Sequence, residues 1–184
     1  MSCQLCTDGY LCGFKKQALQ TLNADIANLY GGKVRVRVCG ICIHERKILL
    51  VNHALYGRDG IFWSPPGGGV QPGETAGQGL VREFREETGL QVEVGELLFI
   101  NEHISPPLHA VELFFEIKCF SGTVATGYDP ELSADRQTIR DVRFMSWKEI
   151  EAFQPAQRHR ILNISGSLAG IFKLNKYITA DRHH

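Results

Sequence analysis

The sequence predicts an α/β layered domain, and three observations point there. Short stretches of alternating apolar residues recur along the chain, one glycine-rich loop feeds a single central helix, and a further helical stretch follows the last of the long strands. With 184 residues and 43 % apolar content the chain is long enough for one full core. Twenty basic residues balance twenty acidic ones, so no net field recruits a nucleic-acid backbone or an anionic membrane. The amino terminus has neither the basic start nor the apolar run of a signal peptide, and no stretch is long enough to span a bilayer. A cytoplasmic location is expected.

The elements follow in order. Residues 14–30 place Leu19, Leu22, Ile26 and Leu29 on one helical stripe that stops at Gly31-Gly32. The predicted division is therefore a tail and amphipathic helix over 1–32, able to pack on the domain or form a homodimer contact, ahead of a domain over 33–184. Cys3, Cys6 and Cys12 lie in that tail without an evident fourth ligand for zinc. Val34, Val36 and Val38 alternate with Arg35 and Arg37, and the run turns at His44-Glu45-Arg46-Lys47 into Ile48–Val51. Residues 34–51 are thus predicted to form a hairpin, with the arginines either stabilising a bound diphosphate or, the favoured case, facing solvent. Cys39 and Cys42, three apart on a strand, point to opposite faces and cannot share a metal.

Residues 53–63 form a loop in which Tyr56, Phe62 and Trp63 are candidates to stack on a base, Trp63 being better suited to the core, and in which Arg58 can reach a phosphate. Pro65-Pro66 and Gly67–Gly69 cannot sit inside a helix, whereas the chain from Thr75 is helix-compatible until Gly89. On that helix Ala76, Leu80, Val81, Phe84 and Thr88 form a packing side, and Glu83, Glu86 and Glu87 gather on the adjacent side. Like charges at i, i+4 cost roughly 0.2–0.5 kcal/mol, so the triad is a poor choice for stability alone. A hard divalent cation, which takes carboxylate oxygens and substrate phosphates together, reverses that sign. Gly77, on the packing side, is expected to allow close approach of a strand, and Gly79 to keep space beside the carboxylates.

After the helix, 91–101 and 108–120 are predicted strands around Ser105-Pro106-Pro107, and 121–138 is a polar loop suited to substrate contacts. Residues 139–145 form a final strand. Ser146 caps a short helix with Glu149 as its capping-box partner, and Pro155 opens another helical stretch to about Gly170.

The segment 68–90, GGVQPGETAGQGLVREFREETGL, resembles the Nudix box, G-x5-E-x7-R-E-U-x-E-E-x-G-U, at every defined position: Gly68, Glu74, Arg82, Glu83, Phe84, Glu86, Glu87, Gly89 and Leu90. The resemblance implies an α/β/α sandwich around a mixed β-sheet, here with an added N-terminal helix. It also implies hydrolysis of the diphosphate linkage in a nucleoside diphosphate joined to another group, with Mg²⁺ or Mn²⁺. By the match Glu83, Glu86 and Glu87 are metal ligands, the Gly68 carbonyl adds to them, and Glu74 pairs with Arg82 to hold the loop to the helix.

The base is left open between Glu83 and an acid from Glu112, Glu116, Asp129, Glu131, Asp135 or Asp141, Asp141 standing where some members supply a further acid. Pro106, sixteen residues after the box, is similar to a proline of ADP-sugar pyrophosphatases, so a nucleotide sugar or ADP-ribose is favoured. Glu112 before an apolar strand also fits enzymes of nucleoside triphosphates. A nucleotide-sensing regulator without turnover is the reading from another class.

Overall fold

The computed structural model describes residues 31–54, 60–127 and 137–179. The expected N-terminal helix, the three tail cysteines, Tyr56, Arg58, Asp129, Glu131 and Asp135 lie outside the described residues.

Among the described residues nine strands form two sheets. The mixed sheet runs β5 (Gly67–Gly69), β1 (Val34–Ile41), β7 (Leu108–Ser121), β6 (Gln91–Ser105) and β9 (Tyr177–Ile178). β1 lies parallel to β7, and β9 parallel to β6. The second sheet is built on β3 (Lys47–His53), with β8 (Ile139–Met145) antiparallel to it and the short β2 (Ile43–His44) and β4 (Trp63–Ser64) pairing with its two ends.

The predicted hairpin therefore shrinks to β2 and β3. Its turn falls where expected, with Glu45 and Arg46 at φ 47° and 62°, the left-handed pair that matches strand twist. β1 leaves that hairpin at Cys42 and pairs instead with a strand about 75 residues away. Residues 139–145 are not the final strand either, since Tyr177–Ile178 adds to the edge of β6. The late helical stretch is divided into α2 (Trp147–Glu151), a 3-10 turn (Pro155–Gln157), α3 (Arg160–Ile164) and α4 (Leu168–Ile171). The Ser146–Glu149 capping box forms as expected.

Two apolar clusters lie on either side of β1 and β3. Leu49 and Val51 join Val38, Leu80, Phe84 and Leu90 beneath the central helix α1 (Ala76–Thr88). Ile48 and Leu50 join Ile41, Phe114, Met145 and Ile161 beneath the C-terminal helices. A strand buried on both faces reads as an unbroken apolar run, which is why Ile48–Val51 carries no polar alternation. Cys39 and Cys42 fall in opposite clusters, as their spacing requires. Trp63 is in the core, with Arg143 stacked 5.0 Å from its ring. Val81, expected to pack, is exposed. Among the described residues no helix is long and apolar enough to cross a membrane.

Candidate active site

The glycine loop approaches β1 so closely that side chains are excluded. Gly67 has φ 150°, and a Cβ there would lie 2.7 Å from the Cys39 Cα. This lets Gly40 N–H donate to Pro66 O and Val70 N–H to Val36 O, both at 3.0 Å. α1 starts at Thr75 with a Thr75–Gln78 capping box and ends at Gly89, φ 73°. Ala125 and Gly127 from the following loop donate to the carbonyls of Thr88 and Glu87, satisfying acceptors that the helix end leaves free.

Arg82 organises the acidic side of the helix. Its guanidinium donates to Glu74 at 2.7 and 3.1 Å, to Glu83 at 2.8 Å, to Glu86 at 3.1 Å and to the Gly69 carbonyl at 3.0 Å. The pairing with Glu74 is the one the family resemblance implied. The bonds to Glu83 and Glu86 were not foreseen. The hydrogen bond with Arg82 holds the Glu74 carboxyl below its usual range, and burial raises that of Glu83 against the opposing effect of Arg82. Glu87 is buried and accepts from Gly67 N–H at 2.8 Å.

These groups line a cavity of about 1110 Å³ between the box helix, the start of β1, and the segment 155–163. Three residues with no sequence signal stand in it. His53 approaches Glu87 at 3.7 Å, yet burial and Arg37 depress its pKa to about 4, so the contact is with a neutral imidazole and is not an ion pair. Asn101 and His159 both hydrogen-bond Glu112, at 2.8 and 3.0 Å.

Glu112, a candidate substrate contact and base from the sequence, is itself buried. Burial opposes its charge, but His159, Arg37 and Asn101 outweigh burial and hold its pKa at about 2. Arg37 is likewise turned inward, donating to Gly67 O at 3.2 Å and lying 3.6 Å from Glu112. Asp141, one of the candidate bases, pairs with Arg143 on β8 at 3.4 Å and is not among the residues that line the cavity. Glu116 and Pro106 do not line it either. Of the two helix glycines only Gly79 is in close contact, beside a carboxylate as expected and also against β1. Gly77 has open space around its Cβ direction, whereas a Cβ on Gly79 would meet Glu74 at 2.8 Å and Val38 of β1 at 3.7 Å.

The NUDIX domain model matches residues 33–163, a stretch that contains both the box helix and the opposing wall. The chain belongs to the Nudix family. It is 33 % identical over 128 residues to an ADP-ribose pyrophosphatase of Methanocaldococcus jannaschii, covering 61 % of this chain and 74 % of that one. It is 32 % identical over 83 residues to an 8-oxo-dGTP diphosphatase of Proteus vulgaris, covering 45 % and 74 %. A NUDIX hydrolase structure from Nitrosomonas europaea superposes with a TM-score of 0.59 at 24 % identity, over 79 % of this chain and 93 % of that one, which supports the fold. The protein is a Nudix hydrolase.

Nudix hydrolases generally use divalent cations. Among the described residues no three acidic, histidine or cysteine side chains converge as ligands in this arrangement, because Glu83 and Glu86 are turned to Arg82 and Glu87 to Gly67. The donor set nevertheless fits a hard ion: three carboxylates border one cavity beside glycine carbonyls. The Glu83 carboxylate lies where a Cβ on Gly68 would be, so the loop is shaped around it. Arg82 occupies Oε1 of Glu83 and Oε2 of Glu86, so an ion seated there would share those carboxylates with it.

Proposed function

We propose that this Nudix hydrolase cleaves the diphosphate linkage of a nucleoside diphosphate joined to a further group, a nucleotide sugar or ADP-ribose being the favoured class. The observation that carries the reading is the pairing of two unlike walls across one cavity. Glu83, Glu86 and Glu87 stand on one, and the buried Arg37–Glu112–Asn101–His159 cluster stands on the other. The first suits a metal-bound diphosphate and the second a neutral, donor-bearing group.

Glu83, Glu86 and Glu87, with the Gly68 carbonyl, hold Mg²⁺ or Mn²⁺. Such an ion neutralises phosphate oxygens and lowers the pKa of a water. Arg37, pointing into the cavity from β1, binds a phosphate oxygen. Arg82 and Glu74 fix the loop against the helix and take no part in the chemistry. Glu112 is poorly suited to the role of base, since His159, Arg37 and Asn101 keep it charged and weakly basic. Glu112 accepts a hydrogen bond from the substrate. The resemblance to the archaeal ADP-ribose pyrophosphatase, which extends over 128 residues, supports the substrate class.

Turnover of ADP-ribose, other nucleotide sugars, dinucleoside polyphosphates and nucleoside triphosphates, with Mg²⁺ or Mn²⁺, tests the proposal beside Glu86→Gln and Glu87→Gln. Metal-dependent release of two phosphate-bearing products from a nucleoside diphosphate derivative, lost in both variants, is expected. Cleavage of triphosphates alone moves the substrate class, and metal-dependent binding without cleavage of anything makes the protein a sensor.

A further inference from the structure

The wall opposite the box helix joins segments far apart in the chain. Strand register sets Arg37 of β1 and Asn101 of β6 on either side of Glu112 of β7. His159 arrives from the segment between the 3-10 turn and α3, its N–H donating to the Trp63 carbonyl at 2.8 Å. Its Nδ1 accepts from Ile161 N–H at 3.3 Å, so in the neutral ring the proton is assigned to Nε2, which faces Glu112 Oε2 at 3.0 Å. Asn101 Nδ2 donates to the same Oε2. Oε1 lies 3.6 Å from Arg37 Nε, a longer contact than either donor makes to Oε2.

The imidazole is therefore committed at both nitrogens, and its effect on a ligand passes through Glu112. A carboxylate so buried keeps a fixed direction only if donors hold it, and an acceptor-only group in a cavity selects ligands that bring a donor. Phosphate oxygens at neutral pH bring none. Phosphates are accordingly directed to Arg37 and the glycine loop, and the uncharged part of the substrate to Glu112.

We propose that His159 is a positioning residue for substrate selection: by donating to Oε2 of Glu112 it leaves Oε1 as a fixed acceptor for a hydroxyl or amine on the part of the substrate beyond the diphosphate. This inference rests on the hydrolase reading above.

The test uses the full chain with Mn²⁺ and ADP-ribose, comparing wild type with His159→Phe, His159→Asn and His159→Gln. Inorganic pyrophosphate serves as a competitive inhibitor that carries phosphates and no donor. Gln can place an amide N–H where Nε2–H stands, Asn is too short to do so, and Phe keeps the ring without the donor. KM for ADP-ribose is expected to rise about ten-fold in the Phe and Asn variants, with kcat within about two-fold and the inhibition constant of pyrophosphate unchanged. The Gln variant is expected near wild type.

Loss of fold in the Phe variant leaves the Asn and Gln pair to decide. Equal KM changes in Asn and Gln, an unmoved KM in all variants, or a parallel weakening of pyrophosphate each overturn the role of His159. Failure of wild type to cleave ADP-ribose overturns the hydrolase reading for this substrate and the inference with it, whereas wild-type cleavage with unaltered variants overturns the inference alone.

Discussion

Removing Arg82 tests whether the box helix and glycine loop are held as one unit. Arg82→Ala deletes five hydrogen bonds, four of them to carboxylates, and leaves Glu74, Glu83 and Glu86 without the cation between them. A charge-assisted bond contributes about 1.5–3 kcal/mol, but the five share one side chain and do not add. Breaking a buried pair costs about 3–5 kcal/mol, and the guanidinium is 22 % exposed, so water screens part of the loss. The expected destabilisation is about 3 kcal/mol. For a domain of this size that lowers the melting temperature by roughly 6–12 °C.

Arg82→Lys, which returns the charge without the fork, is expected to recover less than half. Thermal unfolding in a chelator reads both numbers. Repeating it in millimolar Mn²⁺ adds a second reading: an ion that takes over Glu83 and Glu86 no longer competes with Arg82, so the variant gains more from metal than wild type does. Melting of Arg82→Ala within 2 °C of wild type, or a larger metal shift in wild type, would refute the shared-carboxylate arrangement.

Other perturbations follow from the same geometry. Gly77→Ala meets nothing within 4 Å and is expected to stabilise by about 0.5–1 kcal/mol in urea denaturation. Gly79→Ala is expected to lose about 1 kcal/mol or more despite the same helix propensity gain, because its Cβ displaces Glu74 from Arg82. Stability without metal should fall with acid in two windows. His53 has a folded pKa of about 4, below its unfolded value of 6.5, so the unfolded chain takes up the proton first and stability declines between those values, by up to about 3 kcal/mol. Glu112, depressed from 4.5 to about 2, contributes stability above the first value that is lost as pH falls toward the second. Chemical denaturation of His53→Phe across this range should lack the upper window. Gly68→Ala drives a Cβ into the Glu83 carboxylate and is expected to abolish metal-dependent turnover while a circular dichroism spectrum stays native.

The box helix was legible because the contacts that start it and organise its acidic side, from the Thr75 cap to the Arg82 pairs, lie within fifteen residues along the chain. Strand existence was legible from alternation, but strand partners were not. Val34, Val36 and Val38 alternate in the same way whether the partner is the next strand or a parallel one about 75 residues away, and Cys42 itself is flanked by isoleucines that continue the apolar run.

The errors of burial on the strands are more informative, since they fall in one place. Alternation predicted Val34 and Val36 inside and the arginines outside, yet the valines are 60 % and 47 % exposed and Arg37 faces inward. Glu112 and His53 are buried with it. Pattern reading assumes that a polar face meets solvent. Where a cavity replaces solvent, charged side chains belong inside, provided that partners from distant strands reach them. Arg37, Glu112 and His159 satisfy one another across gaps of 75 and 47 residues, which no local window contains. The positions where hydrophobic patterning fails therefore trace the wall on which substrate selection is expected to rest.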